Sequence, residues 1–156
     1  MKSLWNHPTD TVAHIPVMHH AEFEARFAEC ARYLIVSVAA AGEVTDPHLR
    51  VTTIDAIARL ARPRYKDTDL ERDLGDACLD LGLWDALGVV AGDLDPIRRD
   101  GLLRAAVGVA WAGRAGPSAA QSEIIVAAAT ALGLAPLRAR LMVSRPMASP
   151  ETPLAT

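Results

Sequence analysis

The chain is 156 residues long, enough for one domain with a single hydrophobic core. It is 51% apolar, mostly Ala, Leu and Val, and only 4% aromatic, which suits closely packed helices better than a sandwich of β-branched and aromatic strands. The formal net charge of −3 argues against a nucleic-acid surface built on overall positive charge and leaves only a local basic patch open.

Residues 1–18 carry Pro8, Pro16 and scattered polar residues with no helical period, so an irregular N-terminal arm is expected. A polar stretch follows Lys2 where a signal peptide needs an apolar core. The longest apolar run, Leu34 to Gly42, is interrupted by Ser37 and falls far short of the ~20 residues that span a bilayer. A soluble, cytoplasmic protein with no direct membrane insertion is the expectation.

From His20 to Ala41, Phe23, Phe27, Cys30, Ala31, Leu34 and Val38 recur at spacings of three and four, one apolar stripe of a helix. After Leu34 the polar face disappears. A helix apolar on every side is buried on every side, so this half runs through the middle of the fold until Gly42 ends it. A second helix starts at an N-cap on Thr45 or Asp46 followed by Pro47 and runs to about Ala61, with Leu49, Ile54, Ile57 and Ala58 inward and Pro63 as the stop. A third spans about Asp67 to Leu81, with Leu70, Leu74, Ala77, Cys78 and Leu81 on one face. Gly82 then provides a left-handed terminator and Leu83 its apolar contact. A short fourth helix, Trp84 to Ala91, ends near Gly92.

Asp95-Pro96 opens a fifth helix that includes Leu102 to Ala112, apolar all round and lined by the small residues Ala105, Ala106, Gly108 and Ala110. Pro117-Ser118 begins a sixth, with Ile124, Ile125, Ala128 and Leu132 inward, closing on Gly133-Leu134. A last helix, Pro136 to about Val143, packs outside. The tail 144–156, rich in Pro, Ser and Thr, is expected to be disordered. The helical domain is therefore 19–143.

Residues 33–61 can be laid without a gap on 104–132: Val36 matches Val107, Val38 matches Val109, Gly42 matches Gly113, Thr45 matches Gly116 and Ile54 matches Ile125. Each copy is an apolar helix, a Gly-containing turn and an amphipathic helix. Such a hairpin cannot bury its own apolar face, whereas two packed about an approximate two-fold axis can. The expected fold is all-α, about seven helices, with two pseudo-two-fold-related hairpins around two central apolar helices.

The stretch DPIRRDGLLRAAVGVAWAGRAGPSAAQSEIIVAAATALGLAP, with VAAAGEVTDPHL in the first hairpin, resembles the TerB-like tellurite-resistance family over roughly residues 25–140. Those domains read as an apolar helix, then Ala-Asp-Gly-Glu with Ser or Thr two residues later, then a helix ending Ala-x-x-Leu-Gly-Leu. The resemblance implies turn carboxylates that bind a metal ion. Here Ala41 and Ala112 stand where Asp is expected, and Arg114 replaces the second Glu. A hard cation needs several oxygen ligands, so a shared site is weakened or lost. Any residual divalent-cation site centres on Glu43 and Asp46.

Other chemistry is sparse. His7, His14, His19 and His20, with Glu22 and Glu24 nearby, read as a solvated arm rather than a metal site, because adjacent residues point apart on a helix. Asp69, Asp73, Asp76 and Asp80 line up along the third helix, either as a solvated face opposite Leu70, Leu74 and Cys78 or as an acidic strip for a cation or basic partner. The two cysteines, Cys30 and Cys78, read as buried reduced thiols. Trp84 and Trp111 read as core and His48 as a surface residue, while Trp5 on the arm leaves an exposed anchor for a partner open. There is no Gly-x-Ser-x-Gly, Gly-rich phosphate loop, Cys-x-x-Cys or His-Glu-x-x-His, so no catalytic or cofactor-binding residue is expected.

The leading expectation is a non-enzymatic TerB-like protein acting through protein partners, and the resemblance implies a membrane-associated complex in tellurite or chemical stress. Nucleic acid is not an expected partner. The alternative is a small metal-ion sensor or metal-dependent enzyme using acids of the first turn and third helix. A plain helical adaptor or immunity-type protein on the same scaffold is the third.

Overall fold

Seven helices and no strand make up the described residues, 19–76 and 79–146, of the computed structural model. The fold is all-α, as the composition and periodicity lead one to expect. The arm 1–18 (with Trp5, His7 and His14), Ala77, Cys78 and residues 147–156 lie outside the described residues, as do the side chains of Asp80 and Leu81.

Helix α1 (His20–Ala40) is central. Every residue from Leu34 to Ala39 is buried, so this half has no solvent face. It packs against α2 (Pro47–Leu60), α3 (Asp67–Leu74), α4 (Leu79–Val90), α5 (Pro96–Ala112) and α6 (Ala119–Ala131). The second all-apolar segment lies in α5, where Leu102, Leu103, Ala105, Ala106, Val107, Val109 and Ala110 are buried. Helix α7 (Pro136–Val143) rests on α6 through the buried Ala139 and Val143.

The caps follow the sequence. Asp46 accepts from the His48 backbone N–H at 2.9 Å with Pro47 in the first turn, and Asp95 accepts from the Arg98 N–H at 2.9 Å ahead of Pro96. At the end of α6, Gly133 takes φ +95°, and the Leu134 N–H reaches back to the Ala129 carbonyl at 2.9 Å while its side chain is buried. That is the six-to-one closure a left-handed glycine permits. The two hairpins are α1–α2 and α5–α6. Helix α1 also packs on α6 and α2 on α5, a set of contacts unchanged when the hairpins are exchanged.

Two expectations in the middle of the chain fail. The helix expected over Asp67–Leu81 stops at Leu74, with Gly75 as its C-cap and the Asp76 N–H bonded to the Asp73 carbonyl. The next helix starts at Leu79 rather than Trp84 and runs straight through Gly82, so Gly82 is no terminator. Among the described residues positive φ occurs only at Gly116 and Gly133. Gly82 has a packing role instead. A methyl group there would sit 2.9 Å from Cζ of Tyr33, so its absence lets α4 approach α1. With the helix placed this way, Leu83, Leu87 and Val90 turn inward and Trp84, expected in the core, is 44% exposed.

Candidate functional site

The turns of the two hairpins, residues 41–46 and 113–118, meet at one end of the molecule and enclose a cleft of about 280 Å³. In the first turn the Gly42 N–H bonds to the Ala39 carbonyl and the Asp46 N–H to the Glu43 carbonyl. In the second, the Gly116 N–H bonds to the Gly113 carbonyl with Gly116 at φ +72°, a conformation its counterpart Thr45 does not adopt. The repeat therefore ends in two different turns.

The N-terminus of α6 ties them together. Ser118 Oγ donates to the Ala41 carbonyl at 3.0 Å and accepts from the Gln121 N–H at 3.1 Å. Gln121 Oε1 accepts from the Ser118 N–H at 2.9 Å, completing a capping box, while Gln121 Nε2 donates to the Val38 carbonyl at 2.9 Å. Carbonyls that the end of α1 leaves without helical partners thus find them on the other hairpin. Gln121 is buried, and Gly42 makes room for it: a methyl group on Gly42 would lie 2.3 Å from Nε2. Sequence reasoning identified Ser118 as a helix start but missed the cross-hairpin role of Gln121. The signal was there, since Ser-x-x-Gln is a capping-box spacing, but nothing local says where the amide's second end goes.

Of the two residues singled out for a cation, Glu43 lines the cleft and Asp46 is engaged as the cap of α2. Among the described residues no group of three or more His, Cys, Asp or Glu side chains could hold a metal ion. The cleft is otherwise walled by Ala41, Gly42, Leu49, the segment 113–118 and Gln121, so it offers backbone and small side chains with one carboxylate and one guanidinium, Arg114. Such a lining suits a short stretch of polypeptide better than a compact ion.

Pro117 is shared with a second groove, about 380 Å³, lined by Trp111, Ser122, Val126, Arg140, Val143 and Ser144. Trp111 is half-buried rather than wholly core. Its indole N–H donates to the Val143 carbonyl at 3.0 Å, and its ring forms a wall of the groove. Helix α7, which contributes Arg140 and Val143 to the groove, also carries the exposed Leu137 and Leu141.

The histidines and acids of the N-terminal half do other work. His19, His20 and Glu22 are exposed, and Glu24 is in an ion pair with Arg98, whose guanidinium lies 5.4 Å from the ring centres of Phe23 and Phe27. His48 is exposed, as expected. The acidic strip is not one solvated face. Asp69 pairs with Arg72, and Asp73 is buried, accepting from Arg32 Nη1 at 2.9 Å and from the Tyr65 hydroxyl at 2.7 Å. Asp73 follows Leu70 by three, which puts it on the inward side of the helix. Burial lowers the Arg32 pKa, but the charge and hydrogen bond of Asp73 more than offset this and hold it above its ordinary value. Burial, reinforced by Asp73, pushes the Tyr65 phenol well up. Burial also pushes the Cys30 thiol up to about 12, so it is an inert core group.

No helix among the described residues is long and apolar enough to cross a membrane. No protein-family model matches the chain, and neither a curated protein nor a solved structure is detectably similar to it.

Proposed function

We propose that this is a non-enzymatic, TerB-like helical protein that acts in the cytoplasm by binding protein partners in a response to tellurite or other chemical stress. The observation that carries the binding role is the continuous surface on either side of Pro117: the turn cleft with Glu43 and Arg114, then the groove with Trp111 and Arg140. Its walls are helix ends and a hydrogen-bonded turn, so it is pre-organised, and pre-organised concave surfaces with an aromatic wall and arginines are where binding energy concentrates. The TerB-like assignment rests on the two Gly-turn hairpins and on the residues of the second hairpin quoted above.

The test is quantitative affinity capture from cells grown with and without tellurite, comparing wild type with Arg114→Glu/Arg140→Glu and with the distant control Asp55→Asn. A specific partner should be enriched by wild type and control and lost roughly tenfold by the charge-reversed protein, the scale expected for removing interface arginines. Equal capture by all three proteins rejects this surface. Capture that does not change with stress rejects the stress role.

A further inference from the structure

Between Asp55 and Asp67 the chain carries Arg59, Arg62, Arg64 and Lys66 and no acid, in a protein whose net charge is negative. All four side chains are exposed, and none forms an ion pair among the described residues. The contrast with Arg32, Arg50, Arg72 and Arg98 is clear, since each of those is paired with at least one carboxylate. The segment is also held in place. The Arg62 N–H bonds to the Ile57 carbonyl at 2.9 Å, the Tyr65 N–H to the Arg62 carbonyl at 2.9 Å, and the buried Tyr65 hydroxyl is anchored on Asp73.

Arg62 faces a depression of about 390 Å³ where it meets Arg32 from α1 and Arg72 from α3. Two carboxylates also line it. Asp73 is taken up by Arg32 and Tyr65, so it aims the Arg32 guanidinium rather than opposing a ligand, and Asp76 is already engaged in an interaction of its own. One nitrogen of Arg32, Nε, is buried with no hydrogen-bond partner. Three guanidiniums from three segments, with unpaired cations along the adjoining loop, match the tetrahedral oxygens and double charge of a phosphate group.

We propose that the depression between α1, the 61–66 loop and α3 binds a phosphate group, with Arg62 as its principal unpaired cation and Arg64 and Lys66 extending the site for a ligand carrying more than one phosphate. The proposal is independent of the partner-binding surface, which lies at the turns.

Titration calorimetry on the full chain tests it with tripolyphosphate and inorganic phosphate as soluble probes, and co-sedimentation with phosphatidic acid vesicles against phosphatidylcholine vesicles tests a lipid source. Tripolyphosphate should bind more tightly than inorganic phosphate, raise the melting temperature, and weaken with added salt. Arg62→Gln should lose roughly tenfold in affinity, as expected for one charge-assisted contact, whereas Arg138→Gln on α7 should lose none. Neither substitution should change the melting temperature without probe, because neither side chain has an ion-pair partner among the described residues. Binding of the soluble probes alone supports the site with a free phosphate as ligand, and binding to phosphatidic acid vesicles as well, or alone, supports it with a lipid headgroup as ligand. No binding in either arm overturns it, as does equal binding by Arg62→Gln or equal heat from acetate at matched ionic strength.

Discussion

Asp73→Ala should be among the most destabilising single substitutions in the chain. The Asp73 and Arg32 side chains are only 8% and 11% exposed, and the carboxylate accepts both from Arg32 and from Tyr65. Removing it leaves a buried guanidinium short of its main counter-charge, which costs about 3–5 kcal/mol, and a buried hydroxyl without an acceptor, which adds about 1–3 kcal/mol. Arg32 keeps some compensation, from Glu29 at 3.3 Å and from the Tyr33 ring at 4.7 Å. The expected net loss is therefore near the low end, about 3–4 kcal/mol, or roughly 8–15 °C in melting temperature. Urea unfolding followed by far-UV circular dichroism at neutral pH measures it. The midpoint should fall with the slope unchanged, and Tyr65→Phe should lose only about 1 kcal/mol because the Arg32–Asp73 pair survives. A double variant, Arg32→Met/Asp73→Leu, should be less damaged than the sum of its parts by at least ~1.5 kcal/mol, since each single change strands a partner that the double removes. A loss below ~1 kcal/mol for Asp73→Ala, or an additive cycle, would show that the cluster is solvated and that the buried-pair reasoning is wrong.

Gln121→Ala should lose about 2 kcal/mol by stranding the Val38 carbonyl and the Ser118 N–H, and native-state hydrogen exchange should show the end of α1 opening first; unchanged protection there would dissociate the amide from the hairpin junction. Gly133→Ala should cost about 1 kcal/mol from the left-handed backbone alone, because a methyl group there meets nothing within 4 Å; a neutral result in thermal melts would mean the turn rearranges freely. Alkaline pH should destabilise the fold. The Cys30 pKa is raised in the folded state to about 12 from an ordinary 9.0, so its stabilisation is complete below that ordinary value and is lost as pH climbs toward 12. The slope reaches ~1.4 kcal/mol per pH unit, Tyr65 adds in the same direction above pH ~10, and Cys30→Ala should flatten the early part of the decline. Equal slopes for wild type and Cys30→Ala between pH ~9 and ~10 would rule out the thiol as the source.

Periodicity and caps were enough to place α1, α2, α5, α6 and α7, because in those segments the local signal and the tertiary environment agree: Asp46-Pro47, Asp95-Pro96 and Ser118 each cap a helix whose apolar residues then bury. They misled over 67–91, where one stripe could be drawn across Gly75. An eight-residue helix gains little from its own hydrogen bonds, so α3 is held by its neighbours, by α1 through Asp73 to Arg32 and by α2 through Arg50 to Asp67 and Glu71. Those partners lie 41 and 17–21 residues away, beyond any window of local pattern. Gly82 was misread for the same reason: glycine before leucine looks like a helix end, and only the Tyr33 ring on a neighbouring helix shows that it marks a close crossing. The site was legible as two Gly turns brought together by a repeat. Its cross-links were not.

Those cross-links also show where the repeat stops being symmetric. The matching that sets Val38 on Val109 sets Pro47 on Ser118 and Arg50 on Gln121. A proline has no hydroxyl to offer the other hairpin, and Arg50 turns instead to Asp67 at 2.6 Å and Glu71 at 2.5 Å. The second hairpin therefore clasps the end of α1 through two side chains, while in the first only Arg50 reaches out, and it holds α3. With one turn drawn against Gln121 and the other arched over a left-handed Gly116, the cleft is lined more by the second turn, and Arg114 stands where its counterpart is Glu43. A junction between two turns like the first would present a carboxylate twice, the arrangement that favours a cation. This one presents opposite charges from two non-equivalent loops, the polarity by which the proposed protein partner would be oriented.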